Sequence, residues 1–364
     1  MKLVFSFLVF FSSLAFGLED GGCLALGEGV PRPLPYAVDK DSDDLPFLAV
    51  TGSWVAVVYV PQKELAEPSH VRVQLFHHGR RNEERILWLR GLLPSPRTVE
   101  DQSGKKVTIG VQQVSVGPGA ELVALVSGSR ILVFRAEAFL GSVDASPPAD
   151  PVLTRDRLFW APWAAEKGDV VLWQWGLDPS LPPEPVLRHE REGEPGKKWV
   201  AVREDGGLWV VDGFTGETTL LTATGAKKRQ FAAPIRLPVE PDERKANRAL
   251  ELEKSLAAEL KDATRRPPQV ELRPAPREPW VAWVGTMGKD LLVKPAGEAK
   301  LLYWLADGAQ GWQCLQIDSS RPVSAIRSFP DGFWLVHAEG SRFFSVEDLR
   351  GLQQKRQASS YRGR

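Results

Sequence analysis

Cysteine, histidine and methionine are scarce in this 364-residue sequence, which holds two Cys, five His and two Met. Two cysteines exclude a disulfide-dense scaffold and a cysteine-rich zinc module. The histidines are His70, His77, His78, His189 and His337. They form no HExxH pair, and His77 and His78, as neighbours on a strand, point to opposite faces and do not make co-ligands. A Gly-x-Ser-x-Gly elbow, a Cys-x-x-Cys pair and a glycine-rich phosphate loop are also missing. No catalytic residue, metal ligand or cofactor-binding residue is therefore assigned, and no cofactor is expected. Net charge of one sign is absent too, with 46 Lys plus Arg against 46 Asp plus Glu. Without a basic surplus to neutralise phosphates, no nucleic-acid partner is expected. Beyond the first residues no stretch approaches about 18 consecutive apolar residues, so the mature chain has no expected membrane span.

What is present begins with MKLVFSFLVFFSSLAFG. Lys2 supplies a positive n-region, Leu3–Leu14 an apolar h-region and Ala15-Phe16-Gly17 a small-residue cleavage site, which reads as a signal peptide over residues 1–17. Export to the periplasm or the exterior, with cleavage after Gly17, is the expectation. Residues 18–46, rich in Gly, Pro and Asp, read as an extended lead-in. The carboxylates Asp39, Asp41, Asp43 and Asp44 do not fit an EF-hand, because Asp44 and Val50 stand where Gly and Glu are needed.

Thirteen tryptophans favour pleated, half-buried surfaces and hence an all-β fold. The stretch from Trp199 to Leu220 shows the pattern most clearly. Two β-rich runs, Trp199–Val202 and Leu208–Val211, flank Arg203–Gly207 with its Asp205-Gly206-Gly207, a strong hairpin signal. A second turn, Asp212-Gly213-Phe214-Thr215-Gly216, leads into another strand at Thr218–Leu221. Corresponding strands begin near Val114, Leu158, Trp199, Trp280 and Ile326, at gaps of about 44, 41, 81 and 46 residues. A spacing in the forties is that of four-stranded propeller blades. An earlier copy near Val50 precedes the next by about 64 residues, which that spacing does not explain.

Ser328-Phe329-Pro330-Asp331-Gly332-Phe333-Trp334-Leu335-Val336 resembles the start of a WD-type repeat. Asp212-Gly213-Phe214-Thr215-Gly216-Glu217 is similar to the turn of quinoprotein-type propeller repeats, with a weaker echo in Val284-Gly285-Thr286 and Gly297-Glu298. The resemblance implies a β-propeller over residues 47–349, of about seven blades, with six or eight also compatible with the length. The tryptophan expected three residues after Gly-Glu is replaced by Leu220, so no redox cofactor is carried over from the quinoproteins. A Cys23–Cys314 disulfide would fasten the first strand of such a ring to its closing blade, in an oxidising compartment. The other reading is two buried thiols that never meet. A lipid anchor on Cys23 is disfavoured by Asp20, three residues before it.

One segment reads as a helix. Asp242 can cap it, Arg265-Arg266 suit its C-terminal end and Pro267-Pro268 stop it, giving a helical insertion over 241–266. Leu252, Leu256 and Leu260 share one face, which either packs on the ring or contacts a partner. The basic residues 350–364 read as a disordered end. The tryptophan pairs Trp160/Trp163, Trp173/Trp175 and Trp280/Trp283 read as filling between blades, with stacking on sugar rings as the alternative. The function expected is an exported, non-enzymatic propeller that binds a protein partner. That expectation rests on architecture and the missing catalytic motifs, a fold-level analogy, and a propeller enzyme of glycan hydrolase or lyase type and a quinoprotein-like cofactor binder are the alternatives.

Overall fold

Glycine-bounded apolar runs of five to seven residues become strands throughout the computed structural model. It describes residues 23–39, 45–60, 71–78, 84–89, 97–100, 106–109, 111–127, 129–145, 149–162, 168–190, 197–234, 281–296, 300–317 and 322–362. Two short strands, β1 (Leu24–Ala25) and β2 (Val30–Pro31), lead in. The first antiparallel meander is β3 (Leu45–Thr51), β4 (Trp54–Val60), β5 (Val71–His77) and β6 (Glu84–Leu89). A hairpin of β7 (Arg97–Glu100) and β8 (Lys106–Ile109) separates it from the second, β9 (Val111–Val116), β10 (Leu122–Ser127), β11 (Arg130–Arg135) and β12 (Ala138–Asp144). The third is β13 (Ala149–Leu153), β14 (Leu158–Pro162), β15 (Val170–Trp175) and β16 (Glu184–Arg188). The fourth is β17 (Lys198–Val202), β18 (Leu208–Asp212), β19 (Thr218–Leu221) and β20 (Lys227–Phe231). The fifth is β21 (Val281–Met287), β22 (Asp290–Pro295), β23 (Leu301–Leu305) and β24 (Gln313–Gln316). The sixth has β25 (Ala325–Phe329), β26 (Gly332–His337) and β27 (Gly340–Ser345), followed by helix α1 (Val346–Arg362).

The first strands of the meanders neighbour one another in a closed circuit, β3, β9, β13, β17, β21, β25 and back to β3. The protein is thus a six-bladed β-propeller, within the range the sequence allowed but one blade short of the seven expected. The extra length lies between blades. The β7–β8 hairpin accounts for the long gap after the first blade, and residues 235–280 separate β20 from β21. Leu158 opens the second strand of its blade, not the first. The innermost strand there, Ala149–Leu153, was hidden by Asp150-Pro151. Proline is tolerated because an innermost strand is an edge of its own sheet.

Six apolar clusters fill the six gaps between consecutive blades. Strand β10 shows how a continuous apolar run serves two of them. Val123 and Leu125 pack toward the first blade, while Leu122, Ala124 and Val126 pack toward the third. Side chains alternate across a strand, so a strand covered on both faces must be apolar at every position. Trp160 and Trp173 stack 6.2 Å apart and join Trp175 between blades two and three, which is the filling role expected of them.

Ring closure falls to the N-terminal strap, residues 23–39. Strand β2 completes the sixth blade as its outermost strand, antiparallel to β27, with Val30 opposite Phe343. Strand β1 adds a fifth strand to the fifth blade, parallel to β24. Cys23 and Cys314 form a disulfide, so the bond grips the blade before the closing one. Leu24 and Leu26 enter the core between blades five and six, and Leu34 and Tyr36 pack at the seam between blades six and one.

Residues 350–362, expected as part of a disordered end, continue helix α1. A reciprocal cap starts it: the Ser345 hydroxyl donates to the Asp348 carboxylate at 2.6 Å, and the Asp348 N–H donates to Ser345 Oγ at 3.0 Å. The segment expected as a helical insertion, 241–266, and the signal-peptide residues 1–17 lie outside the described residues. None of the helices among the described residues is long and apolar enough to cross a membrane.

Candidate functional site

A meander places the turn between its first and second strands at the same end as the turn between its third and fourth. The closed ring therefore has one face built of these turns, called here the AB face, and an opposite face bearing the blade-to-blade connections. Neighbouring turns touch on the AB face. The Glu204 N–H donates to the Gly288 carbonyl at 3.0 Å, joining blades four and five. Gly288 sits at φ +59°, a left-handed backbone that glycine adopts without steric cost, close to the flexible end of Glu204 and to the Pro330 carbonyl.

Arg203 organises the centre of this face. Its side chain is 3% exposed, lies against the Trp209 ring at 5.2 Å, and ties two turns together. Nε and Nη2 donate to the two oxygens of Asp205, and Nη2 also donates to Asp307 Oδ1, each at 3.0 Å. Burial works against the guanidinium charge, and the two carboxylates outweigh it, so its pKa is raised. The Arg203 hydrogen bonds hold the Asp205 carboxyl below the usual carboxylate range. Behind them Asp290, 2% exposed, accepts from the Trp304 indole N–H at 3.1 Å and from the Asp307 N–H at 2.8 Å. A buried carboxylate thus fixes the turn that carries an exposed one.

A second pair crosses the closing seam. His78, at the end of β5, places Nε2 2.8 Å from Asp331 Oδ1, and its ring packs among Phe329, Trp334 and Phe343. Burial would raise the Asp331 carboxyl, but the His78 contact outweighs it and the pKa is lowered. His77 turns the other way, edge-on to Trp54 at 4.8 Å, as strand alternation requires.

Among the described residues the turns of the AB face and the strand ends that close them expose Glu121, Glu137, Asp156, Asp178, Glu184, Glu204, Asp205, Asp307 and Asp331, against Arg135, Arg155, Lys227 and Lys289. Arg157 is half-buried and Arg203 buried. A chain of zero net charge therefore presents an acidic surface at one end. No group of three or more potential metal ligands occurs among the described residues.

Of the site residues expected from sequence, Cys23 and Cys314 are brought together, while Leu252, Leu256 and Leu260 lie outside the described residues. Sequence reasoning passed over Arg203, Asp205, Asp307, Asp331 and His78. A signal existed for three of them. Asp205-Gly206, Asp307-Gly308 and Asp331-Gly332 are Asp-Gly turns at equivalent ends of three successive blades, so the turn residue of each hairpin doubles as an exposed carboxylate.

No protein-family model matches the chain, and no curated protein sequence matches it. Among solved structures the chain is similar to YCF48 bound to a D1 peptide, at 12% identity over 85% of this chain and 82% of that one, with a TM-score of 0.42. It is similar to a chain of the mitotic checkpoint complex, at 12% identity over 95% and 99% of the two chains, with a TM-score of 0.42. A prolyl endopeptidase chain is matched at 13% identity, over 83% of this chain and 41% of that one, with a TM-score of 0.45. Nothing about what this protein binds follows from likenesses of that size.

Proposed function

We propose that the protein is an exported, non-enzymatic propeller that binds a protein partner through its AB face. The observation that carries this reading is the fixed acidic surface itself. Asp205 and Asp307 are locked by one buried arginine, and Asp331 is held by His78, on turns that a rigid ring sets in place. Preorganised carboxylates lose little freedom on binding, and they steer an oppositely charged partner over the range of the Debye length. The partner this favours offers a basic surface.

Export is supported by the Cys23–Cys314 disulfide, which an oxidising compartment allows. N-terminal sequencing of the mature protein is expected to begin at Leu18; an intact Met1 would refute the signal-peptide reading. The helical insertion 241–266 is proposed as a second contact through Leu252, Leu256 and Leu260. The ends of its connection, Phe231 and Val281, lie at the ring's opposite face.

Co-purification from the extracytoplasmic fraction tests the binding reading with three forms: intact protein, a Glu121→Lys/Glu204→Lys form, and one with 241–266 replaced by a Gly/Ser loop. A partner lost from the charge-reversed form supports the AB face. Loss from the loop form alone would move the site to the insertion. A partner held equally by all three would refute both surfaces.

A further inference from the structure

The acidic face has a basic counterpart in the same chain. Helix α1 starts at the AB end, where the Val346 N–H donates to the Asp331 carbonyl at 2.9 Å. Val346 and Leu349 are buried, and Leu352 packs beside them, in the core between blades five and six. Arg350 reaches toward Asp290 at 4.0 Å. Its backbone runs beside β27 of its own blade, and its apolar anchor also meets Met287 and Leu292 of blade five. Past Leu352 the character changes, and Gln354, Lys355 and Ala358 are exposed.

From Leu349 to Arg364 the sequence holds Arg350, Lys355, Arg356, Arg362 and Arg364 and no acidic residue. The rest of this neutral chain therefore carries a net charge of minus five. A helix of 17 residues is about 25 Å long, and its anchored first two turns account for less than half of that. The remaining length is a basic rod whose direction is set by its anchored start, rooted on the rim of an acidic face.

We propose that the basic end of α1 docks on the acidic AB face of a second copy of this chain. This rests on the reading of that face as a docking surface, and it names one occupant. The choice of a second copy follows from charge complementarity: the face needs a basic element, and this chain carries one beyond the apolar anchor of α1. The contact joins a rod to a face, two different surfaces, so it is heterologous and extends from copy to copy unless it closes into a ring. With no large apolar side chain beyond Leu352 except Tyr361, the association is driven by charge and weakens steeply with salt.

Sedimentation velocity of the mature full-length protein from 1 to 100 µM tests this, at low and at high salt. The expected result is growth beyond the monomer with concentration in about 50 mM salt, weakened at least tenfold in about 500 mM salt. Two variants separate the surfaces: a rod variant, Lys355→Gln/Arg356→Gln/Arg362→Gln, and a face variant, Glu121→Lys/Glu204→Lys. Neither touches the Arg203 bonds or the apolar anchor of α1. Each is expected to be monomeric alone, and a one-to-one mixture is expected to give a heterodimer that grows no further. A wild type that stays monomeric at 100 µM in low salt would overturn the proposal, as would a rod variant that associates like wild type. Anisotropy of a labelled peptide of residues 346–362 keeps the two readings apart. If the rod variant binds the peptide while the full chain stays monomeric, the docking face survives and self-association falls. If the peptide does not bind and the chain stays monomeric, the face loses its support as well.

Discussion

Arg203 is the residue on which the AB face turns, and it is not interchangeable with lysine. One ammonium cannot span the two oxygens of Asp205 and the Asp307 carboxylate with the fork that guanidinium offers. Arg203→Lys is expected to cost about 2–3 kcal/mol, read as a lower urea midpoint at unchanged slope. Asp212 gives a pH-dependent counterpart on the opposite face. Burial would raise its carboxyl, but the Lys198 ion pair and the N–H groups of Thr215 and Phe214 outweigh burial and lower the pKa. A group whose folded pKa is depressed stabilises the fold above its unfolded value of about 3.9, and that stability fades as pH falls through the folded value. Asp212→Asn is therefore expected to cost about 2 kcal/mol at pH 7, with the gap from wild type closing below about pH 4 in parallel denaturation curves. Neither role was legible in the sequence, although the turn chemistry was. Asp205-Gly206 and Asp212-Gly213 announced hairpins, while Asp307, which shares Arg203 with Asp205, lies 104 residues from that arginine, and Lys198 meets Asp212 through the register of the β17–β18 pair.

At the scale of elements, one close approach and one cross-link matter most. Gly332 opens β26 where the backbone of β27 passes, and a Cβ there would lie 2.1 Å from the Phe344 carbonyl oxygen and 2.7 Å from the Phe343 ring. The carbonyl cannot yield without breaking the ladder. Gly332→Ala is expected to destabilise by about 3 kcal/mol or more. Gly308→Ala, with nothing within 4 Å but φ at +77°, is expected to cost about 1 kcal/mol, from backbone strain alone. The same denaturation series compares them. The disulfide links residues 291 positions apart, for which loop entropy sets a ceiling of about 5–6 kcal/mol. Cys23→Ser/Cys314→Ser is expected to lower stability within that ceiling and to speed amide exchange first at Leu26, whose N–H donates to the Gln316 carbonyl at 2.9 Å. Elements were readable to the degree that their burial was two-sided. The second strands, such as β4, β10 and β26, apolar at most positions, stood out. The outermost strands did not, because Lys227–Gln230 of β20 is exposed, and a charged edge protects against pairing with other chains.

The whole molecule stands or falls with closure. The strap contributes only the two residues of β2 to the sixth sheet, yet it covers the seam where Phe329, Trp334 and Phe343 pack, with Arg32 over two of the rings. Deleting residues 23–39 is expected to leave the β27 edge without β2, to lower the melting temperature by roughly 10 °C and to raise binding of a hydrophobic dye. A variant that melts like wild type would show that the ring closes without its strap.

What the sequence determined by itself is local: strands, hairpin turns and a blade-length period, because each depends on alternation and glycine placement within a few residues. It also set the chemistry of closure, since the two cysteines had each other as partners or none. The blade count, the acidic face and the ordered α1 were decided by the tertiary structure. Blade number depends on how many sheets close a circle, which insertions between blades disguise in the spacing. The face exists because every meander sends the same pair of turns to the same end, gathering carboxylates from residues 121 to 331 that a charge count of zero conceals. Helix α1 is ordered because Val346, Leu349 and Leu352 have a core to enter, and that core is made by two blades and a strap from the far end of the chain.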